Sequence, residues 1–117
     1  MEILTSIRTN CHYLLDKPRV YADLNAGWKV GDQYIVPLNS LATQEDMRQL
    51  GQSPIPGLTV DFWTDDGDDE GHPDPLLFQG MIQFDEGTQN WVAVTAWNDF
   101  RHASEMNALR APEKLLV

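Results

Sequence analysis

The chain of 117 residues carries 18 Asp and Glu side chains against 8 Lys and Arg, a formal net charge of -10, and one cysteine. This length supports one ordinary hydrophobic core and excludes two, so we expect residues 1–117 to form a single domain. The 42% of hydrophobic residues excludes a chain that is disordered throughout. The negative charge argues against binding to nucleic acid or to an anionic membrane, because both need a basic surface.

The first 18 residues have the pattern of an amphipathic helix. Apolar residues recur at helical spacing until Pro18 ends the pattern. These residues are Leu4, Ile7, Cys11, Leu14 and Leu15. The opening residues lack the basic and apolar regions of a signal peptide, no apolar run matches a membrane span, and a single cysteine forms no internal disulfide. We therefore predict a cytoplasmic protein that does not associate with membranes.

Residues 19–104 have the composition of a β core. Short segments rich in β-branched and aromatic residues are separated by Gly, Asn, Asp and Pro. The five main segments are 20–26, 33–39, 57–65, 76–85 and 90–97, and a short last strand is predicted at 101–104. Between the second and third segments the sequence predicts one short helix, with Thr43 as its N-cap and Gly51 as its stop. Residues 105–117 form a C-terminal tail.

The third and fourth strands predict a long antiparallel hairpin, whose connection is the acidic stretch from Asp65 to Pro75. Alternation along the first of these strands places Phe62 on one face of the sheet and Trp63 on the other, with Met81 on the side away from the main core. The predicted fold is mainly β within the α+β class. It is a small, curled barrel of five antiparallel strands, SH3-like or OB-like, with an N-terminal helix and one short helix between strands.

The excess negative charge is confined to the centre of the chain. Between Arg48 and Arg101 there is no Lys or Arg, whereas ten carboxylates lie there, six of them between Asp65 and Asp74. Two unit charges about 6 Å apart in water repel each other by roughly 0.7 kcal/mol. The cluster therefore favours a bound cation, a basic partner or full hydration.

The acidic stretch partly matches a calcium-binding loop. Carboxylates occupy the first, third, fifth and ninth positions of that pattern, and Gly71 stands where the loop must turn sharply. The candidate ligands are Asp66, Asp68, Glu70 and Asp74. The twelfth position, where a bidentate Glu would close the site, is Leu77. The pattern thus predicts either a weak calcium site or a hydrated hairpin loop, and the missing ligand favours the hydrated loop. No other cofactor is predicted.

Catalytic motifs are absent from the sequence. There is no G-x-S-x-G, phosphate-binding glycine loop, H-E-x-x-H or C-x-x-C. Cys11 and His12 are neighbours, and on a helix their side chains would diverge by about 100°. We therefore predict that the protein is not an enzyme.

The remaining functional signal is a combination of carboxylates and aromatic residues. If the hairpin and the following strand present their large side chains on one face, an apolar surface lies beside the acidic loop, as in many protein-binding sites. The candidate contact residues are Trp63, Asp65, Asp69, Met81, Trp91 and Trp97. The opposite interpretation is that the N-terminal helix covers this surface. The sequence predicts an interaction module for a basic protein partner, such as an inhibitory or toxin-neutralising protein or a mimic of nucleic-acid charge, with calcium binding as the alternative.

Overall fold

The computed structural model describes residues 14–15, 17–67, 69–106 and 109–110. Residues 1–13, which contain most of the predicted N-terminal helix, lie outside the described residues, as do Asp68 and most of the predicted C-terminal tail. Where the predicted helix can be compared with the structure, it is wrong, because Leu14–Leu15 is a β-strand. This strand pairs with Leu109–Arg110 in a two-stranded antiparallel ribbon.

The described chain contains nine strands and one α-helix. The strands are β1 Leu14–Leu15, β2 Val20–Tyr21, β3 Trp28–Val30, β4 Gln33–Pro37, β5 Thr59–Thr64, β6 Leu76–Asp85, β7 Asn90–Ala96, β8 Arg101–His102 and β9 Leu109–Arg110; the helix, α1, is Leu41–Gln49. Strands β4 to β8 fall where the sequence predicts them, and β3 is an addition. A two-residue turn at Gly31-Asp32 joins β3 to β4, with Gly31 at φ +59°, so the hairpin follows a turn that glycine favours.

Seven of the strands form one mixed sheet. Its order is β2-β5-β6-β7-β4-β3, and β8 also pairs with β6. The β5–β6 hairpin is antiparallel as predicted, with Phe62 opposite Phe78 and Trp63 opposite Leu77. The expectation of purely antiparallel pairing is wrong, because β2 runs parallel to β5. Strands β2 and β3 are the edges, so within the described residues the sheet stays open and does not close into the predicted barrel.

Strands β7 and β8 are two parts of one interrupted strand along β6. The register places Met81 opposite Val94 in β7, and Leu76 opposite His102 in β8. A short 3-10 turn, Trp97–Asp99, separates the two parts. This turn begins at the last residue of the predicted segment 90–97 and ends before the strand predicted at 101–104. It allows Phe100 to pack its ring against Phe78, with the ring centroids 4.8 Å apart.

The sheet buries side chains on both faces. The side that we call the Phe62 face holds the main core, in which the Phe62 and Phe78 rings stack with centroids 5.2 Å apart. The core residues on this side are Val20, Ala22, Val36, Leu38, Met47, Val60, Phe62, Phe78, Ile82 and Ala93. The opposite side, the Trp63 face, holds a smaller cluster of Leu15, Trp63, Leu77 and Ala103. Strand β1 thus covers Trp63 at the position where the sequence predicts a helix.

Helix α1 covers the β2 edge of the sheet. Its N-cap is Ser40 rather than the predicted Thr43, because the Ser40 side chain accepts the Thr43 N–H. Thr43 is instead a residue of the helix itself. Its side chain is buried, and its hydroxyl donates to the Tyr21 carbonyl at 2.8 Å. Asp46 accepts the Tyr21 N–H at 2.9 Å. Two helix side chains therefore satisfy the backbone groups of an edge strand, which would otherwise be open to pairing with another chain.

The C-terminal end of α1 is closed by a Schellman motif. The Gln52 N–H donates to the Met47 carbonyl at 2.8 Å and the Gly51 N–H to the Arg48 carbonyl at 3.1 Å. Gly51 has φ +68°, the left-handed conformation that this motif requires, so the predicted helix stop is confirmed. Among the described helices, none is long and apolar enough to cross a membrane.

The close approach of β6 to its neighbours gives a prediction for Gly80. A Cβ at this position would lie 2.9 Å from the Ala93 Cβ and 3.1 Å from the Phe62 ring. We expect Gly80→Ala to lower the free energy of unfolding by about 1–3 kcal/mol through overpacking. Gly87→Ala, whose Cβ would come no closer than 3.8 Å to the Asp85 side chain, should change it by less than about 0.5 kcal/mol. Urea denaturation of both variants checks this, and equal stabilities would contradict the packing argument.

Candidate functional site

The acidic loop, residues 65–75, connects β5 to β6 and has its own internal structure. Gly67 and Pro73 form an isolated antiparallel bridge. Beside it, the Asp74 N–H donates to the Asp66 carbonyl at 2.9 Å. Gly71, at φ +86°, lies in the turn that this bridge encloses. The loop therefore continues the hairpin for a few residues beyond the ends of β5 and β6.

Two carboxylates of the acidic loop hold the chain that follows β8. The Asp74 side chain is buried and accepts hydrogen bonds from the Ser104 N–H at 3.0 Å and the Ser104 hydroxyl at 2.5 Å. The Asp66 carboxylate lies 2.8 Å from His102 Nε2. The backbone N–H of His102 donates to the Glu105 carboxylate at 2.8 Å. The loop is thus fixed to residues 102–105 by side chains as well as by its backbone.

Because of these contacts, the carboxylates of the loop are arranged differently from the ligands of the predicted calcium site. Asp66 and Asp74 point to His102 and Ser104, and Glu70, with its side chain 79% exposed, lies 3.6 Å from the His72 ring. Asp68 lies outside the described residues. Among the residues that the structure places, no three His, Cys, Asp or Glu side chains come together in a way that could hold a metal ion.

The outer side of the acidic loop presents carboxylates to solvent. Asp65, Asp69 and Glu70 are all exposed, and Glu105 adds a fourth carboxylate from the neighbouring segment, with 59% of its side chain exposed. Neither residues 65–75 nor residues 102–106 contain a Lys or Arg. The negative charge of the central segment is therefore concentrated at one end of the hairpin, on a loop with fixed anchors.

The predicted aromatic surface is divided between the two faces of the sheet. Trp63 is fully buried, so in this structure its side chain presents no area to a partner. Met81 is on the Trp63 face, four pairs along the β5–β6 ladder from Leu77, and it is 44% exposed. Trp91 lies on the Phe62 face, opposite Phe84, at the far end of the hairpin from the acidic loop. The strand register, which alternation alone does not supply, separates these residues.

Trp97 is a predicted aromatic residue that is exposed, and it follows the end of β7 that lies away from the Asp85–Asn90 pair. It is 46% exposed in the 3-10 turn between β7 and β8. Its ring packs against Tyr34, at 5.2 Å between centroids, and against Phe100, at 6.1 Å. The Lys29 ammonium lies 4.7 Å from the centre of the Trp97 ring. The indole is thus held in place by its neighbours while about half of it faces solvent.

A mixed-charge groove of about 260 Å³ lies on the Trp63 face. Lys17, Arg19 and Arg101 line it together with Asp61 and Asp99. Asp61 pairs with Lys17 at 3.0 Å and accepts from the Gln79 amide at 3.0 Å. Burial raises the pKa of the Asp61 carboxyl, but the Gln79 and Lys17 hydrogen bonds and the charges of Lys17 and Arg19 outweigh it and lower the pKa below its usual value. Asp61 therefore offsets the charge of Lys17, while the Arg101 guanidinium donates to the Asn98 and Phe100 carbonyls.

Sequence reasoning missed His102 and Ser104 as partners of the acidic loop. They lie 36 and 30 residues from Asp66 and Asp74, and only the pairing of β8 with β6 brings them together. No local sequence motif indicates such contacts. Comparison of the chain with protein-family models, with curated proteins and with solved structures finds no match, so functional inference rests on the residues themselves.

The anchoring of the loop predicts unequal effects for two of its carboxylates. Asp74→Ala leaves the Ser104 N–H and hydroxyl without their acceptor, and we expect a loss of about 1–3 kcal/mol in the free energy of unfolding. Asp69→Ala removes the same charge from an exposed site and should change stability by less than about 0.5 kcal/mol. Urea denaturation measures both values. A loss for Asp74→Ala no larger than for Asp69→Ala would show that the anchor contributes little.

The pKa of Asp61 predicts a pH-dependent contribution to stability. Because this pKa is lower in the folded state than in the unfolded chain, ionised Asp61 stabilises the fold above the unfolded-state value of about 3.9, and the effect is lost as the pH falls through the folded-state value. Asp61→Asn should therefore be less stable than the parent at pH 7, with a difference that shrinks below about pH 4. Urea denaturation at the two pH values tests this, and a difference that does not depend on pH would refute it.

Proposed function

We propose that the protein is a non-enzymatic interaction module that binds a cationic protein partner through the outer carboxylates of the acidic loop and the exposed ring of Trp97. The observation that carries this proposal is the fixed position of the loop. Asp66 and Asp74 attach it to residues 102–105, while Asp65, Asp69 and Glu70 are exposed.

A fixed acidic loop suits the capture of a basic partner for two reasons. Carboxylates clustered at one end of a molecule attract a cationic partner over distance and raise the association rate. A loop that is already held by its anchors loses little conformational freedom on binding, so more of the interaction energy appears as affinity.

Trp97 supplies the aromatic contact that the proposal needs. Its ring is held against Tyr34 and Phe100, so an incoming partner can bury it without first ordering it. Trp63, Met81 and Trp91 have no part in this surface, because the first is buried and the other two lie on other parts of the sheet. An inhibitory or toxin-neutralising protein is one form of such a module, and a mimic of nucleic-acid charge is another.

The compartment and the non-enzymatic role are proposals that rest on the sequence. We infer a cytoplasmic location from the single cysteine, which forms no internal disulfide. A non-enzymatic role follows from the absence of catalytic motifs in the sequence, and the charge argues against binding to nucleic acid.

Calcium binding has less support than partner binding. A calcium site would use Asp66, Asp68, Glu70 and Asp74, but Asp66 and Asp74 are hydrogen-bonded to His102 and Ser104 in the structure. To bind an ion, Asp74 would have to release the Ser104 hydrogen bonds at some cost in stability. The alternative predicts that millimolar calcium raises the melting temperature and that Asp66→Asn removes this effect.

A labelled octalysine peptide provides a defined cationic probe for the proposal. We expect its binding, followed by fluorescence anisotropy, to weaken steeply between low and physiological salt because the contact is electrostatic. The double variant Asp69→Asn with Glu70→Gln should weaken binding about fivefold or more, since each lost charge removes roughly 0.5–1 kcal/mol at contact distance. Both substitutions keep the size of the side chain.

The matched control removes the same charge from the other end of the hairpin. Asp85→Asn with Glu86→Gln keeps an acceptor for the Thr88 N–H and hydroxyl, which bond to Asp85, and should weaken peptide binding much less. Equal losses in the two double variants would show that net charge, rather than the acidic loop, attracts the peptide. Binding that does not depend on salt would refute the proposal, and a melting temperature raised by calcium would favour the alternative.

A further inference from the structure

An uncharged row of side chains, which we call the Met81 row, crosses the Trp63 face of the sheet away from the acidic loop. Residues directly opposite each other in a ladder lie on the same face, and Met81 is on the Trp63 face. Successive pairs therefore place one side chain from each of five strands in a line across this face. In sheet order, the row is Thr59, Met81, Val94, Ile35 and Trp28.

The Met81 row presents apolar area at the surface. Met81 is 44% and Trp28 is 36% exposed, and Ile35 and Val94 are half-buried. The parallel rows on either side contain no charged residue either. They are Val30, Gln33 and Ala96 on one side and Pro37, Val92 and Gln83 on the other. In a chain of net charge -10, an uncharged apolar strip of this kind is typical of a contact surface.

Val92 indicates that another segment lies on this strip. Its side chain is 3% exposed, although it belongs to neither of the two core clusters of described residues. Its ladder neighbours, Pro37 and Gln83, stand beside it, because the side chains of a strand project perpendicular to the sheet. Burial of its outer side therefore requires chain that lies on top of the strip.

Residues 1–13, which lie outside the described residues, are the segment that chain continuity brings to this strip. They precede β1, whose Leu15 packs in one cluster with Trp63 and Leu77. The Met81 row is about 13 Å along β6 from Leu77 at about 3.3 Å per residue, whereas residues 4–13 measure about 15 Å even as a helix. From β6 to β3 the row is about 14 Å long. The segment is therefore long enough to reach the row and to lie along it.

The sequence of this segment has the apolar side that the strip requires. Its one Glu and one Arg cancel each other. Four apolar residues fall within about 100° of one another on a helical projection. These residues are Ile3, Leu4, Ile7 and Cys11. We propose that residues 1–13 dock on the Met81 row through this apolar side.

The size of the strip favours this segment over a second copy of the chain. The Met81 row and the rows on either side of it measure about 14 Å by 14 Å, or roughly 200 Å². A stable dimer buries about 800 Å² on each partner. Two chains of net charge -10 also repel each other.

The reactivity of Cys11 tests the contact, because Cys11 is the single cysteine of the chain. We expect the folded protein to react with iodoacetamide at least about tenfold more slowly than a synthetic peptide of residues 1–15, because a docked thiol is shielded from the reagent. A thiol that reacts as fast in the protein as in the peptide would overturn the proposal.

Two substitutions on β6 separate the Met81 row from the rest of the sheet. Met81→Asn should speed the reaction about threefold or more, since it removes apolar area from the row. Phe84→Asn makes a matched change at a residue that is 41% exposed on the Phe62 face, and it should leave the rate within about twofold. Both changes are neutral and keep the charge around the thiol constant. Equal acceleration in the two variants would contradict docking on the row.

A second pair of variants tests the segment without altering the sheet. Ile7→Asn, on the apolar side of the helical projection, should speed the reaction of Cys11, whereas Thr9→Asn, on the opposite side, should not. Equal rates in these two variants would count against the proposed apolar side. Sedimentation tests the other occupant, because an oligomer that Met81→Asn dissociates would place a second copy on the row and refute the proposal. The octalysine result is independent, since none of the four substitutions alters the acidic loop.

Discussion

The fold depends on the burial of two consecutive residues, Phe62 and Trp63, on opposite faces of β5. Both are fully buried, so each face of the central hairpin must be covered. The Phe62 side is covered by core residues from the neighbouring strands and α1. The Trp63 side is covered by Leu15 of β1, Leu77 and Ala103. A hairpin that is buried on both faces must be covered by segments from both ends of the sequence. This explains why segments before β2 and after β7 return to it.

The acidic loop is part of this covering arrangement. Ala103 reaches the Trp63 cluster directly after β8, and the bonds from Asp66 to His102 and from Asp74 to Ser104 hold that segment in place. Carboxylates in the same loop therefore have two roles. Asp66 and Asp74 fasten the chain over the core, and Asp65, Asp69 and Glu70 concentrate charge at the surface. The cost of clustering like charges is partly offset by the hydrogen bonds of Asp66 and Asp74.

The two ends of the β6 strand differ in character. The acidic loop precedes Leu76, whereas Phe84, near the end of β6, packs against Trp91. The first end carries exposed carboxylates, and the second carries an aromatic pair whose Trp91 packs against the main core.

The sequence by itself determined the strands β4 to β8, the end of α1 at Gly51 and the place of the negative charge. These features follow from local patterns: alternation of apolar residues, a left-handed glycine, and composition. Only the tertiary structure decided that β2 runs parallel, that Leu14 and Leu15 form a strand, and that Trp63 and Trp91 face opposite sides. It also decided that Asp66 and Asp74 form hydrogen bonds with His102 and Ser104. The physical reason is that these outcomes depend on contacts between residues about 30 or more positions apart. The burial of both faces of one hairpin decides which of these residues pair. Local sequence patterns carry no information about such pairing.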